Sequence, residues 1–312
     1  RAGLDALGVL QIEPEGEHAR TDGEEEQGEE TEGKAREHRM SVELTAATTT
    51  FMDDTYTFID CPGSVEFGHD MRAAMPAVDA AIVVCEADEK KTPQLQLILR
   101  EIEALGIPHF LFLNKIDKAD THLTDALKLL QPASRVPLLL RQIPTWNGDI
   151  VNGFVDLALE RAFVYKEHMP SEIVPLEGET LDREKTARFT MLETLADHDD
   201  ELMEQLLEDI APPRDKVFED LAKELREGQV VPVLLGVATR TNGVLRLLKA
   251  LRHEAPGVAE TAKRLGVSRT TVRAALDHLA EQGVVRRHLN KGIELIQLPV
   301  ANESAPALGE EL

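Results

Sequence analysis

Two short polar motifs, each directly after an apolar run, carry residue types that could bind a ligand. The first is Asp-Cys-Pro-Gly at 60–63, and the second is Asn-Lys-Ile-Asp at 114–117. The Asp60 carboxylate could hold part of the shell of a Mg²⁺ ion, and the Gly63 amide could approach a phosphate because no side chain intervenes. The first motif therefore suggests a site for a phosphorylated ligand and a metal ion.

The elements that must position these motifs read as parts of an α/β fold with a parallel sheet. We predict strands at 42–51, 55–60, 80–85, 109–113 and 230–235, and helices at 67–75, 92–105 and 243–253. Strands that alternate with helices predict right-handed βαβ crossovers. Because buried parallel strands deliver binding groups at their carboxyl ends, we expect both motifs at one edge of the sheet.

In this order, the two motifs resemble the DxPG and NKxD boxes of P-loop GTPases. In the second box, Asn114 and Asp117 would reach the two edges of a guanine, while the stem of Lys115 would cover its face. From about residue 39 to 256 the chain resembles the G domain of elongation factor G and its elongation-factor-G-like relatives. The segments that carry this resemblance are TAATTTF, FIDCPGSVEF, AVDAAIVVCEA, FLNKID and PVLLGVAT…GVLRLLKAL.

This resemblance implies GTP or GDP as ligand, Mg²⁺ as cofactor with Asp60 as its ligand, and the ribosome as partner. It also implies that backbone amides of residues 236–238 meet the guanine carbonyl, and that 121–229 form an inserted subdomain, which we predict to be mostly helical. The nucleotide-binding residues expected from it are Asp60, Pro62, Gly63, Asn114, Lys115, Asp117, Gly236, Val237 and Ala238.

Three departures from the family pattern affect the phosphate end of the expected site. No GxxxxGK[ST] loop precedes Val42, and Val42 itself stands where the family has a Mg²⁺-binding threonine. Ser64 stands where the family has its catalytic histidine, and a serine cannot orient water as an imidazole does. His69 is expected to be a surface residue. We therefore expect nucleotide affinity weakened by ~10³-fold or more and GTP hydrolysis weak or absent, unless the native amino end is longer.

Residues 257–298 read as a separate winged helix-turn-helix. Seven Lys and Arg residues face four Asp and Glu residues in 258–298, a net charge of 7 − 4 = +3, within a chain of net charge −23. The run LGVSRTTVRAALDHLAEQGVVRR resembles the winged-helix reader of GntR-type bacterial regulators, which implies DNA as a partner of this segment. The DNA-binding residues expected are Ser268, Arg269, Thr270, Thr271, Arg273, Arg286, Arg287 and Lys291.

Composition supports this division of the chain. We predict an acidic disordered tail at 1–39, a GTPase-like domain at 40–120 and 230–256, the inserted subdomain at 121–229, the winged helix at 257–298 and a disordered tail at 299–312. The chain holds two cysteines in 312 residues, and no apolar run approaches the length of a membrane span. These features favour the cytoplasm and no membrane partner.

Three functional readings remain open from the sequence alone. The first is a GTP-binding protein with degraded phosphate-binding and catalytic motifs, fused to a DNA-binding winged helix. The second is a DNA-binding transcriptional regulator that uses the GTPase-like body as a scaffold. The third is a truncated or chimeric product with neither activity, since function must be argued from a site rather than from a fold.

Overall fold

The computed structural model describes residues 44–52, 54–63, 68–118, 123–148, 150–166, 169–256, 285–288 and 292–295. These residues divide into two compact units. The described part of the first unit is Leu44 and the chain from Ile59 to residue 256, and that of the second is Thr45–Phe58 with the segments at 285–288 and 292–295. The helix-turn-helix residues before 285, and both predicted tails, lie outside the described residues.

Twelve strands and seven α-helices occur within the described residues. The strands are β1 (Thr45–Phe51), β2 (Asp54–Asp60), β3 (Ala81–Glu86), β4 (His109–Asn114), β5 (Leu138–Leu140), β6 (Gln142–Asn147), β7 (Ile150–Asp156), β8 (Arg161–Lys166), β9 (Met169–Val174), β10 (Val231–Leu235), β11 (Val285–His288) and β12 (Gly292–Leu295). The helices are α1 (Gly68–Ala74), α2 (Thr92–Ala104), α3 (Leu123–Leu130), α4 (Gly178–Ala196), α5 (Asp200–Leu207), α6 (Arg214–Glu227) and α7 (Val244–Glu254).

The first unit is built on a four-stranded parallel sheet, which confirms the predicted α/β class. Its strand order is β3-β4-β10-β5, and every neighbouring pair is parallel. All residues of β10, and all of β4 except its last, are buried, as expected for strands covered on both faces. The sheet thus holds the carboxyl ends of β3, β4 and β10 side by side.

Helix α2 lies next to the first polar motif, and its sequence explains why it is helical. Pro93 stands in its first turn, where a missing N–H costs nothing, and Leu95, Ile98, Leu99 and Ile102 form a buried stripe at helical spacing. The helix ends before Gly106, whose φ of +63° is in the left-handed region that favours glycine. The observed end of the helix agrees with the sequence prediction within one residue.

The segment 121–229 differs in content from the prediction that it is mostly helical. Helices α3 to α6 lie within it, but β5 belongs to the parallel sheet and β6 to β9 form a second, antiparallel sheet in sequential order. Residues of β6 to β8 such as Ile143, Val155 and Ala162 share a buried core with helices α4 to α6. The short strands were missed because this segment is rich in charge and its apolar alternation is brief.

Buried charges join the parallel sheet to the elements around it. The Arg141 guanidinium, fully buried, donates to Glu254 Oε2 at 2.6 Å, and Arg246 is paired with Asp156. The Glu254 main-chain carbonyl accepts from Arg226 Nε at 3.0 Å. The carboxyl end of α7 is therefore attached both to the junction of β5 and β6 and to α6.

The second unit contains two hydrogen-bonded strand pairs. Strands β1 and β2 form a two-stranded sheet, and the hydroxyls of Thr48 and Thr57 lie 3.0 Å apart across it. Strands β11 and β12 are antiparallel, with Arg286 opposite Glu294 and Arg287 opposite Ile293. This antiparallel pair lies within residues 257–298, for which the sequence predicts a winged helix-turn-helix.

Candidate guanine-nucleotide site

The carboxyl edge of the parallel sheet brings together the second polar motif and the chain after β10. Asn114 is the last residue of β4 and lies in register with Glu86, the last residue of β3. Leu235, at the end of β10, lies in register with Leu113, so Gly236 follows directly beside Asn114. The structure therefore places residues 114–117 and 236–238 at one edge, as the sequence predicts. The strand before the first motif, β2, pairs with β1 in a separate two-stranded sheet, so the expectation that this strand belongs to the parallel sheet is wrong.

Asn114 is held in one orientation by two backbone amides. Its Oδ1 accepts from the N–H of Lys115 at 2.9 Å and from the N–H of Ala238 at 2.9 Å. Because both bonds need an acceptor, the side-chain oxygen is identified and the Nδ2 group is left as the donor. Asn114 thus ties β4 to the loop after β10 and keeps an N–H₂ group for a ligand acceptor.

Asp117 carries a buried carboxylate oxygen that has no hydrogen-bond partner within the described structure. The residue lies in a 3₁₀ turn, Ile116–Lys118, and its Oδ1 atom is fully shielded from solvent. The turn itself is fixed, because Ile116 is buried and its N–H donates to the Gly236 carbonyl at 3.4 Å. A buried acceptor costs free energy unless a donor meets it, so Asp117 Oδ1 has an unused capacity to accept a hydrogen bond.

Lys115 is bound to a residue that the sequence did not single out. Its backbone is in the left-handed region (φ 58°), and its ammonium is paired with the carboxylate of Glu86, both groups being partly buried. A non-glycine residue with this φ is strained, so the surrounding contacts must hold it. The pattern that could have revealed Glu86 is its position, which matches that of Asn114 at the end of the neighbouring strand.

The amides of residues 236–238 are engaged inside the protein. The N–H of Gly236 donates to Leu113 at 2.9 Å, that of Val237 to Asn242 at 3.0 Å, and that of Ala238 to Asn114. A Cβ at position 236 would overlap Phe112, which explains the glycine. Of the three amides, only that of Ala238 meets the side chain of Asn114. That these amides meet a guanine carbonyl stays a prediction.

The first polar motif is held from the side by α2. Cys61 and Gly63 are buried, and the Gly63 carbonyl accepts from the Gln94 side chain. Burial, followed by the charges of Asp60 and Asp70, raises the pKa of the Cys61 thiol to about 12, so it stays protonated. Ser64 lies outside the described residues, and His69 is exposed and paired with Asp70, which agrees with a surface role.

The donor set of this motif is compatible with Mg²⁺ but does not form a metal cage. Among the described residues, no group of three or more His, Cys, Asp or Glu side chains could hold a metal ion. Mg²⁺ is commonly held by one or two carboxylates together with phosphate oxygens and water. Asp60 alone would therefore suffice only if a phosphorylated ligand completes the shell.

The predicted DNA-binding residues are described only in part. Arg286 and Arg287 lie on β11, and only their backbone is described. The remaining predicted DNA-binding residues lie outside the described residues: Ser268, Arg269, Thr270, Thr271, Arg273 and Lys291.

Comparison with known proteins finds two families in this chain. The elongation factor Tu GTP-binding domain matches residues 8–257, and the gntR family of bacterial regulatory proteins matches residues 249–295. Both resemblances stated from the sequence are thereby confirmed. The two matches overlap at 249–257, where α7 ends.

Two relatives extend this result. An elongation factor G-like protein of Synechocystis is 37% identical over 237 residues, which make up 76% of this chain and 35% of the relative. A crystal structure of a Thermus thermophilus protein has a TM-score of 0.65 and 25% identity, over 73% of this chain and 34% of that one. The chain thus spans about a third of the length of each relative. No helix in the described ranges has the length and apolarity to cross a membrane.

Proposed function

The chain belongs to the family of elongation-factor-Tu-type GTP-binding domains, and on that premise we propose that it binds GTP and GDP at the carboxyl edge of its parallel sheet. The observation that carries this proposal is the buried Oδ1 of Asp117, which has no donor within the described structure. Guanine offers two adjacent donors, its N1–H and its 2-amino group, and a carboxylate accepts both. Adenine lacks this pair.

Asn114 complements Asp117 on the opposite edge of the base. Since its Oδ1 is used by two backbone amides, its Nδ2 group is oriented to donate to an acceptor of the ring. Lys115 would cover the face of the base with its aliphatic stem, while Glu86 holds its ammonium. The two side chains at the base edges and the stem over its face together account for guanine selectivity.

The phosphate end of the site is proposed at the first motif. Asp60 would hold Mg²⁺, which supplies charge neutralisation of the phosphates when it is bound, and the Gly63 amide would approach the terminal phosphate. Ser64 lacks the imidazole that orients an attacking water in the family, so we propose GTP hydrolysis that is weak or absent. By resemblance to its relatives the partner would be the ribosome, and the compartment the cytoplasm, where the two free cysteines fit.

The test is a titration of fluorescent GDP and a non-hydrolysable GTP analogue against the chain with Mg²⁺. Guanine nucleotides should compete and adenine nucleotides should not. Asp117→Asn should weaken guanine binding by ~10²–10⁴-fold, because two charge-assisted hydrogen bonds of ~1.5–3 kcal/mol are lost or inverted. The same variant should gain affinity for xanthine nucleotides, because the new amide can donate to the 2-oxo group.

Asp125→Asn is the matched control, since Asp125 is an exposed aspartate paired with Lys128 on α3. It removes the same charge and should leave nucleotide binding unchanged. Absence of guanine-selective binding in the unmodified chain would overturn the proposal.

A second function is proposed for residues 257–298, namely DNA binding. It is supported by the match to the gntR family and by the antiparallel pairing of β11 with β12. Changing Arg269 and Arg273 to Ala should remove sequence-specific DNA binding. The DNA binding that remains should depend less on salt concentration, because two phosphate-binding charges are lost. DNA binding without guanine-nucleotide binding would favour the regulator in which the GTPase-like body is a scaffold. Absence of both activities from the unmodified chain would favour the third reading, a truncated or chimeric product with neither activity.

A further inference from the structure

Helix α2 holds the chain after Asp60 at two points. Gln94, in the first turn of α2, donates from its side-chain amide to the carbonyl of Gly63. Seven residues further along, Glu101 accepts two bonds from Arg72 of α1, at 3.0 Å and 2.7 Å. Since seven residues are two helical turns, Gln94 and Glu101 lie on one face of α2. That face therefore contacts both residue 63 and α1.

The bond from Gln94 fixes a torsion that glycine would otherwise leave free. The position of the Gly63 carbonyl relative to the Gly63 N–H is set by rotation about φ and ψ of Gly63. Glycine has no side chain to restrict that rotation. A donor held by a helix, as Gln94 is, anchors the peptide plane after Gly63 and so reduces the range of positions open to the Gly63 amide.

From this contact we propose that Gln94 is a positioning residue for recognition of the terminal phosphate of a guanosine triphosphate. The proposal rests on the function proposed above, in which the Gly63 amide approaches that phosphate. Gln94 touches no phosphate itself. It acts through Gly63, by holding the amide in the arrangement that the phosphate needs.

This role predicts an effect on the triphosphate alone. The base-reading residues lie after β4 and β10, and they would contact GDP and GTP equally. Gln94 contacts the chain after β2, which GDP would not need. Loss of the Gln94 bond should therefore lower the ratio of GTP to GDP affinity without lowering GDP affinity.

The decisive variant is Gln94→Glu, which keeps the shape of the side chain and removes the donor. A carboxylate cannot donate to the Gly63 carbonyl and repels it. The chain offers a matched control in Gln96, two residues along the same helix, whose side-chain amide donates to the Pro132 carbonyl at 3.3 Å. Gln96→Glu makes the same chemical change on the same helix, away from the first motif.

The experiment measures dissociation constants for GDP and for a non-hydrolysable GTP analogue with Mg²⁺ in the three proteins. In Gln94→Glu the ratio of GTP to GDP affinity should fall by roughly 5- to 10-fold, the effect of one lost hydrogen bond with added repulsion. GDP affinity should stay within about twofold, as should both affinities in Gln96→Glu. An equal loss for GDP and GTP would indicate a merely structural effect and overturn the inference.

Other outcomes separate this inference from the proposed function. If the unmodified chain binds no guanine nucleotide, the proposed function fails and the phosphate role fails with it. If it binds both nucleotides but Gln94→Glu leaves their ratio unchanged, the inference alone fails. Amide hydrogen exchange of a peptide spanning 60–63, without nucleotide, should be faster in Gln94→Glu than in Gln96→Glu. Equal exchange would contradict the restraint of the Gly63 amide on which the inference depends.

Discussion

The buried ion pair between Arg141 and Glu254 should show a large coupling energy in a double-mutant cycle. The side chains are 0% and 1% exposed, and their charged atoms lie 2.6 Å apart. Replacing Glu254 by Leu would leave the Arg141 guanidinium buried without its partner. Replacing Arg141 by Met would leave the Glu254 carboxylate in the same position. Each change alone should reduce the free energy of unfolding by about 3–5 kcal/mol, because an unpaired charge remains buried.

The double variant should recover most of that loss. With both charges removed, the neighbouring pair of Arg246 and Asp156 stays balanced, and two apolar side chains occupy the space. Replacement of a buried pair by apolar groups is commonly neutral or stabilising. We therefore expect the double variant to lie within about 1–2 kcal/mol of the unmodified protein, which gives a coupling energy of about 3 kcal/mol or more.

Urea unfolding followed by far-ultraviolet circular dichroism measures these differences, with the unfolding midpoint compared at constant slope. The chain supplies a control pair at the same distance, Lys166 and Glu172, which also lie 2.6 Å apart but are 46% and 56% exposed. Its cycle should give less than about 1 kcal/mol. Equal coupling energies in the two cycles would refute the reasoning, since distance rather than burial would then decide the strength.

Three further measurements test the packing and the buried titrating groups. Gly236→Ala should destabilise the protein by about 1–3 kcal/mol in the same unfolding assay, because the added methyl overlaps Phe112. Burial, and then the charge of Asp220, raises the pKa of Glu224 to about 8. The folded state therefore holds its proton more tightly, and stability should fall as pH rises from the ordinary value of 4.5 towards 8, by at most about 1.4 kcal/mol per pH unit. This is the contribution of Glu224 alone, and the difference in stability between Glu224→Gln and the unmodified protein across this range measures it. Burial lowers the pKa of His109, so the contribution of His109 to stability should be lost as pH falls below 6.5, opposite in sign to that of Glu224. The difference in stability between His109→Asn and the unmodified protein across this range measures it. An unchanged pH profile in either variant would contradict its assignment.

The sequence predicts three of the four strands of the parallel sheet, β3, β4 and β10, because each is a nearly continuous apolar run. It misses β5, and the predicted strand at 55–60 pairs with β1 in a separate sheet. The runs before Asn114 and Gly236 could belong only to buried strands, and polar residues at their ends had to meet at one edge. The helices α2, α6 and α7 were also predictable, since their apolar residues recur at helical spacing and Gly106 and Gly228 end two of them.

Other features depend on contacts that a single sequence does not contain. The antiparallel sheet of β6 to β9 has strands of six or seven residues. Their alternation of apolar and polar residues is interrupted, so the two-residue period of a strand could not be recognised in the sequence. The pairing of Lys115 with Glu86 joins residues 29 positions apart, and that of Arg141 with Glu254 joins residues 113 positions apart. No pattern among neighbouring residues in the sequence indicates either pair. The use of the Ala238 amide by Asn114 likewise follows only from the register of β4 and β10.

The fixed end of α7 has a mechanical consequence for whatever the chain carries after residue 256. Glu254 is attached through its side chain to Arg141 and through its carbonyl to Arg226, and the Ala255 carbonyl also accepts from Arg226 at 3.4 Å. Tension applied to the chain beyond this point would be transmitted through two guanidinium groups to the sheet junction and to α6. The last turn of α7 would therefore resist unravelling under load, and the chain beyond it would start from a rigid anchor.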